Sequence, residues 1–288
     1  MSLDLELLKQ LRDITGAGIL DCKKYLVRAN NVLDDAIKLM RSEEGIKADK
    51  KSARIAAEGV VYFKPNSSKS LLIEINSETD FVARSDDFLS YVDQTCEMII
   101  SSPYNSLEML MDSSDDTVKN DLEGLRKNYV TKLGENIQIR RFHCIDNSEN
   151  FVTGYTHNNK IGAIVTLEKE DGQLSKDICM QIVASNPLGL DEESLDKSLL
   201  ENEKDIYKAE LDKIDKKDDI KRNIMDGKIK KFISDNTLLN QPYIKDGSLS
   251  LKKIIKDNKI ISYSRYQLGE GIEKKQEDFA DEVYGQIK

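Results

Sequence analysis

The chain has 288 residues, a formal net charge of -9, and 33% charged against 39% hydrophobic residues. That is a soluble globular composition, long enough for two or more packed units. The acidic balance argues against nucleic acid as the main partner, because phosphate binding needs a clustered positive surface, and no apolar run approaches the roughly 20 residues that span a bilayer.

The N-terminus, "MSLDLELLKQLRD", is acidic and amphipathic, unlike a signal peptide or an Arg-rich transit peptide. Cys22, Cys96, Cys144 and Cys179 lie far apart with no CxxC spacing, so free thiols in a reducing cytosol are expected. The densest basic stretch, "IKADKKSAR", reads as a solvated helix face.

The first 45 residues predict three short helices. Leu7, Leu8, Leu11 and Ile14 recur at helical spacing, and "TGAG" breaks the pattern with Gly16 as a cap. Ile19, Cys22 and Leu26 start a second helix, and Leu33, Ala36, Ile37 and Met40 mark a third. After Gly45 a basic helical linker is expected. At Gly59 the chemistry changes: "GVVYF" and "SLLIEI" read as strands around the turn "KPNSS". A helix from about Asp86 carries Phe88, Val92, Cys96 and Ile99 and stops at "SSP"; another spans roughly Val118 to Leu133, before "NIQIRRFHCI" returns to strand.

A second unit repeats this order. "FVTGYT" and "IGAIVTLE" flank the turn "HNNK", and the helix "QLSKDICMQIVAS" is stopped by "NP". From 191 to 234 a narrow apolar stripe runs through a highly charged segment interrupted by "DKKDD", which predicts an antiparallel helical hairpin with arms of roughly 30 Å at 1.5 Å per residue. The short helix "SLSLKKIIKDN", the strand "IISYSRYQL" and a C-terminal helix "EDFADEVYGQIK" complete the reading.

Catalytic chemistry is hard to find. His143 and His157 are the two histidines; His143 and Cys144 are neighbours in a predicted strand and point to opposite faces, which rules out a dyad between them. "TGAG" lacks a preceding strand and a following GKS or GKT, so a helix-linking turn fits better than a phosphate loop. His157 reads as a surface turn residue. The unusual feature is "EINSETDFVARSDDF", which sets the large ring of Phe81 beside the Asp80 carboxylate on a turn. Either the ring packs under its own helix with Asp80 as a cap, or it is presented to a partner.

"LRDITGAGILDCKKYL", "TDFVARSDDF", "GENIQIRR", "YTHNNKIGAIV" and "LGEGIEK" occur in this order along the chain. Together they resemble elongation factor Ts, the guanine-nucleotide exchange factor of the GTPase elongation factor Tu. The resemblance implies an α+β fold. It has a three-helix module similar to ubiquitin-associated domains (1–54), a core of two related subdomains (55–140, then 141–190 and 235–270), an inserted hairpin (191–234) and a C-terminal helical module (271–288). It implies no enzyme chemistry, no cofactor or metal, a cytoplasmic location, and elongation factor Tu as the partner, GDP-bound or nucleotide-free, with no direct nucleic-acid or membrane contact.

The resemblance also implies roles for residues. Thr79, Asp80, Phe81 and Val82 form the turn inserted between two helices of the GTPase near its magnesium site. Ile19, Leu20 and Lys23 match the N-terminal contact helix, and His157 matches a histidine placed near the partner. Gln181 departs from the family pattern, which often has histidine there, and puts any contact from that side chain in doubt. The hairpin has varied family roles, including a homodimer contact. Two other readings stay open on sequence: an adaptor using the three-helix module to hold ubiquitin-like partners, and an RNA-binding translation factor with steep salt dependence.

Overall fold

The structure, a computed structural model, describes residues 4–15 and 18–273. The fold is α+β, and its contacts divide the chain into two units. The first takes residues up to Lys64, then Leu71–Cys144, then the chain from Tyr266; the second takes Pro65–Ser70 and Ile145–Arg265.

The first unit opens with α1 (Leu5–Thr15), α2 (Ile19–Arg28) and α3 (Leu33–Lys51). Leu8, Leu11, Cys22, Tyr25, Leu26, Ala36 and Met40 close into a small core of their own. Ile14, expected on the buried stripe of α1, is exposed instead. The third helix and the helical linker expected after Gly45 are one continuous element: α3 runs through Gly45 to Lys51 and packs on a later helix, α7 (Thr117–Leu133). A mid-helix glycine costs only about 1 kcal/mol against alanine, which packing readily offsets.

Strands β1 (Glu58–Pro65), β2 (Lys69–Ser77) and β3 (Ile137–Asp146) form a sheet in the order β1-β2-β3. Gly59 adopts φ +127° and lies so close to β2 that a Cβ would sit 2.1 Å from the Ile75 carbonyl oxygen, so only glycine fits. The expected division of the core at 140/141 falls inside β3. Between β2 and β3 come α4 (Asp80–Ala83), α5 (Asp86–Ser101), α6 (Leu107–Asp112) and α7. Phe88, Tyr91, Val92, Cys96 and Ile99 of α5 pack with Leu71, Ile73 and Ile75 of β2, joined by Leu122 and Val130 of α7. The helix α6, capped by Ser106, was not anticipated from sequence.

Glu74 is a fully buried carboxylate in the same unit. Arg140 and Arg141 donate to it at 2.9 and 2.7 Å, and the Gly269 backbone N–H at 2.8 Å. The same two arginines donate to the carbonyls of Glu270 and Gln267, which ties the late segment 267–270 to β2 and β3.

In the second unit β4 (Phe151–His157) pairs antiparallel with β5 (Ile161–Leu167) from Phe151↔Leu167 to His157↔Ile161. Asn158 and Asn159 turn the chain with φ 51° and 53°, values asparagine tolerates. The helix α8 (Gly172–Ser185) starts at Asp171, whose carboxylate accepts from Leu174 N–H at 3.0 Å, and ends at left-handed Asn186 before Pro187. Its Ile178, Cys179 and Ile182 pack with Ala163, Val165 and Leu167 of β5.

The helical hairpin consists of α9 (Lys197–Asp212) and α10 (Asp218–Asn236). At its base the entering and leaving chains run side by side: Leu238 N–H donates to Gly189 and Leu239 N–H to Leu190, both at 2.9 Å. The chain continues through β6 (Pro242–Tyr243), β7 (Asp246–Ser250), α11 (Leu251–Ile255) and β8 (Ile260–Gln267), with the sheet order β4-β5-β8. "SLSLKKIIKDN" is therefore strand as far as Ser250, which pairs with Pro242 of β6, and helix only over Leu251–Ile255. The expected C-terminal helix lies outside the described residues.

Candidate functional site

The turn after β2 is built from its polar residues. Thr79 is the N-cap of α4, and its hydroxyl accepts from Val82 N–H at 3.3 Å. The same hydroxyl donates to Glu135 at 2.6 Å, and the Thr79 backbone N–H donates to the other Glu135 oxygen at 3.0 Å. One carboxylate thus grips both donors of a single residue. Asp80, half-buried, sits in the first turn and pairs with Arg84 at 2.9 Å rather than capping the helix. A carboxylate there also suits the positive N-terminal end of the helix.

Apolar chemistry on this turn is split. Val82 packs against the core of the first unit, whereas Phe81 is 84% exposed. The reading in which the ring packs under its own helix therefore fails. A one-turn helix is too short to hold itself, so the caps and the Glu135 grip fix the direction of Phe81.

In the three-helix region, Leu20 is 78% exposed; Ile19 and Lys23 are exposed beside it, while Cys22 between them is fully buried. Neither apolar residue is taken into the core. Ile14, in the last turn of α1, is also exposed, and it was not among the expected contact residues. The signal that could have found it is its place at the end of an apolar stripe whose inner positions Leu8 and Leu11 already fill the core.

In the second unit His157 is exposed at the end of β4, with its Nδ1 3.1 Å from the Tyr155 hydroxyl. Gln181 is buried. Its amide donates to the Gln241 side chain and the Pro242 carbonyl, both at 3.3 Å, and its oxygen accepts from Ile244 N–H at 3.2 Å. It anchors the chain around β6 and presents nothing outward.

The family model described as Elongation factor TS matches residues 78–270, from the residue before Thr79 to the end of the Glu74 tether. The chain belongs to the elongation factor Ts family. Elongation factor Ts of Alkalilimnicola ehrlichii is 41% identical over 100% of this chain and 99% of its own length. That of Nitratiruptor sp. is 42% identical over 100% of both, and that of Legionella pneumophila 37% identical over 98% and 97%. Membership makes the chain a translation elongation factor of protein biosynthesis with an exchange-factor role toward elongation factor Tu.

All four cysteines are buried, and burial pushes the thiols of Cys96 and Cys179 up to about 12, which keeps them protonated at neutral pH. Among the described residues no cluster of three or more His, Cys, Asp or Glu could hold a metal ion, and no helix is long and apolar enough to cross a membrane.

Proposed function

We propose that this protein binds elongation factor Tu in its GDP form and promotes GDP release by inserting the Thr79–Asp80–Phe81 turn near the magnesium site. It then holds the nucleotide-free GTPase until GTP binds. The observation that carries this is Phe81: a large ring 84% exposed on a turn whose backbone is pinned on both sides. A ring driven between packed helices displaces them in a discrete step, because close-packed interiors do not deform continuously. Magnesium ligands and phosphate-binding groups carried by those helices then hold the nucleotide less well. Linkage makes the effect reciprocal, so Mg-GDP weakens binding of the factor by the same ratio.

Ile19, Leu20 and Lys23 form a second contact on the same partner, and His157 a third. This reading takes the first three helices as the ubiquitin-associated-like module, the two sheets as the core subdomains, and α9–α10 as the inserted hairpin. Ile206, Ile214 and Ile220, exposed along the hairpin, are the surface through which it would form a homodimer.

The test is release of fluorescent GDP from elongation factor Tu. Burial of a Phe side chain is worth roughly 1.5–3 kcal/mol, so Phe81→Ala should slow stimulated release roughly 10- to 150-fold at limiting factor. Release at the wild-type rate would overturn the reading. Asp80→Ala should slow release less, since Thr79 still anchors the turn.

A further inference from the structure

We infer that Glu135 is the positioning residue of the exchange turn, and that the loop Gly134–Asn136 forms with Glu78 and Thr79 a reciprocal clasp that aims Phe81. The inference rests on the proposed insertion of Phe81 and adds to it the device that makes insertion productive.

The clasp is built symmetrically from two pairs of neighbouring residues. Glu135 accepts from Thr79, backbone and side chain, at 3.0 and 2.6 Å. Glu78 returns the contact by accepting from Asn136 backbone N–H at 2.6 Å. Each loop therefore supplies one carboxylate and one backbone N–H to the other. Gly134 makes the approach geometrically accessible: it ends α7 in the left-handed conformation, φ 79°, which turns Glu135 out of the helix axis at once.

The chemistry sets the direction of every bond. A carboxylate only accepts, so the Thr79 hydroxyl points its hydrogen at Glu135 and turns a lone pair toward Val82 N–H. That lone pair is the cap of α4. Charge assistance strengthens the outer bond, and the polarised hydroxyl is a better acceptor for the inner one. The position of the Phe81 ring thus depends on a carboxylate that never touches it.

The clasp also reaches the three-helix region. Asn136, fully buried, donates its side-chain amide to the Arg54 carbonyl at 2.8 Å, and Arg54 lies 3.5 Å from Glu78. The segment leaving α3 and the exchange turn are therefore gripped by the same two residue pairs. A partner that engages α2 and Phe81 together meets one preset spacing.

The test separates aim from folding. GDP release from elongation factor Tu is followed over a concentration series of wild type, Glu135→Gln, Thr79→Val, the double variant and Phe81→Ala. Glu135→Gln keeps the shape but cannot accept both donors, and Thr79→Val removes the hydroxyl alone. Each should lower the plateau rate roughly 10-fold with little change in half-saturating concentration, because the other contacts persist. The double variant should be no worse than the more damaged single one.

A partly unfolded factor behaves differently: it raises the half-saturating concentration and leaves the plateau intact. Full plateaus for Glu135→Gln and Thr79→Val beside a collapsed plateau for Phe81→Ala overturn this inference alone. A full plateau for Phe81→Ala overturns the insertion reading and this inference with it.

Discussion

Two phenylalanines seven residues apart meet opposite fates. Phe81, on α4, is 84% exposed, whereas Phe88, in the first turn of α5, is fully buried against β2. Both helices have a hydroxyl N-cap, Thr79 and Ser85, and both carry acidic residues in the first turn. Local sequence is therefore nearly equivalent, and the difference lies in what holds each helix. Nonpolar packing over four turns holds α5, so its ring is absorbed. Polar bonds to Glu135 and the packing of Val82 and Ala83 hold α4 without using Phe81, so its ring is left for something else.

The contrast can be broken at several points. The largest effect is expected for Phe88→Ala, about 3–5 kcal/mol of stability lost through the cavity it leaves; urea unfolding measures it. Phe81→Ala should leave the same unfolding curve in place, and a loss of similar size would put Phe81 back in a core role. Ser85→Ala removes the hydroxyl that caps α5 by accepting from Phe88 N–H and joins it to α4 by donating to the Val82 carbonyl. About 1 kcal/mol is expected from the lost cap, with a fall in GDP release beyond what the unfolding curve explains.

Thiol chemistry sharpens the same contrast without a mutation. Cys96 lies on the buried face of α5 with its thiol pushed up to about 12. At pH 8 it should resist iodoacetamide in the folded protein and react on unfolding, and ready labelling of native protein would show that the α5 face opens. The smallest effect on the sheets is expected from replacing residues 197–232 by a short Gly-Ser linker, since the chain segments at the hairpin base already run side by side. Circular dichroism should still show cooperative melting, and its loss would make the hairpin part of the core.

Much of this was legible in the sequence because the signals were local. Phe88, Val92, Cys96 and Ile99 at helical spacing marked α5, and "HNNK" marked the turn that Asn158 and Asn159 make with positive φ. That the chain stays helical beyond Gly45 was legible; that the linker is one helix with α3 was not, because the packing on α7 is tertiary. Nor was the exposure of Phe81, since the same ring beside the same carboxylate suits a buried or a presented residue. The grip of Glu135 on Thr79 crosses 56 positions of sequence and leaves no periodic trace.

The Glu74 tether has a consequence for how the protein is made. A ribosome delivers β2 early, with Glu74 in its middle, and Arg140 and Arg141 only after a further stretch of chain. The backbone donor of Gly269 and the Glu270 carboxylate that completes the Arg141 cluster arrive only after residues 145–265 of the second unit. Burying a carboxylate before its partners are in place is strongly unfavourable. The first unit's buried carboxylate therefore meets Arg140 and Arg141 before residues 145–265 are made, and gains the Gly269 donor only after them.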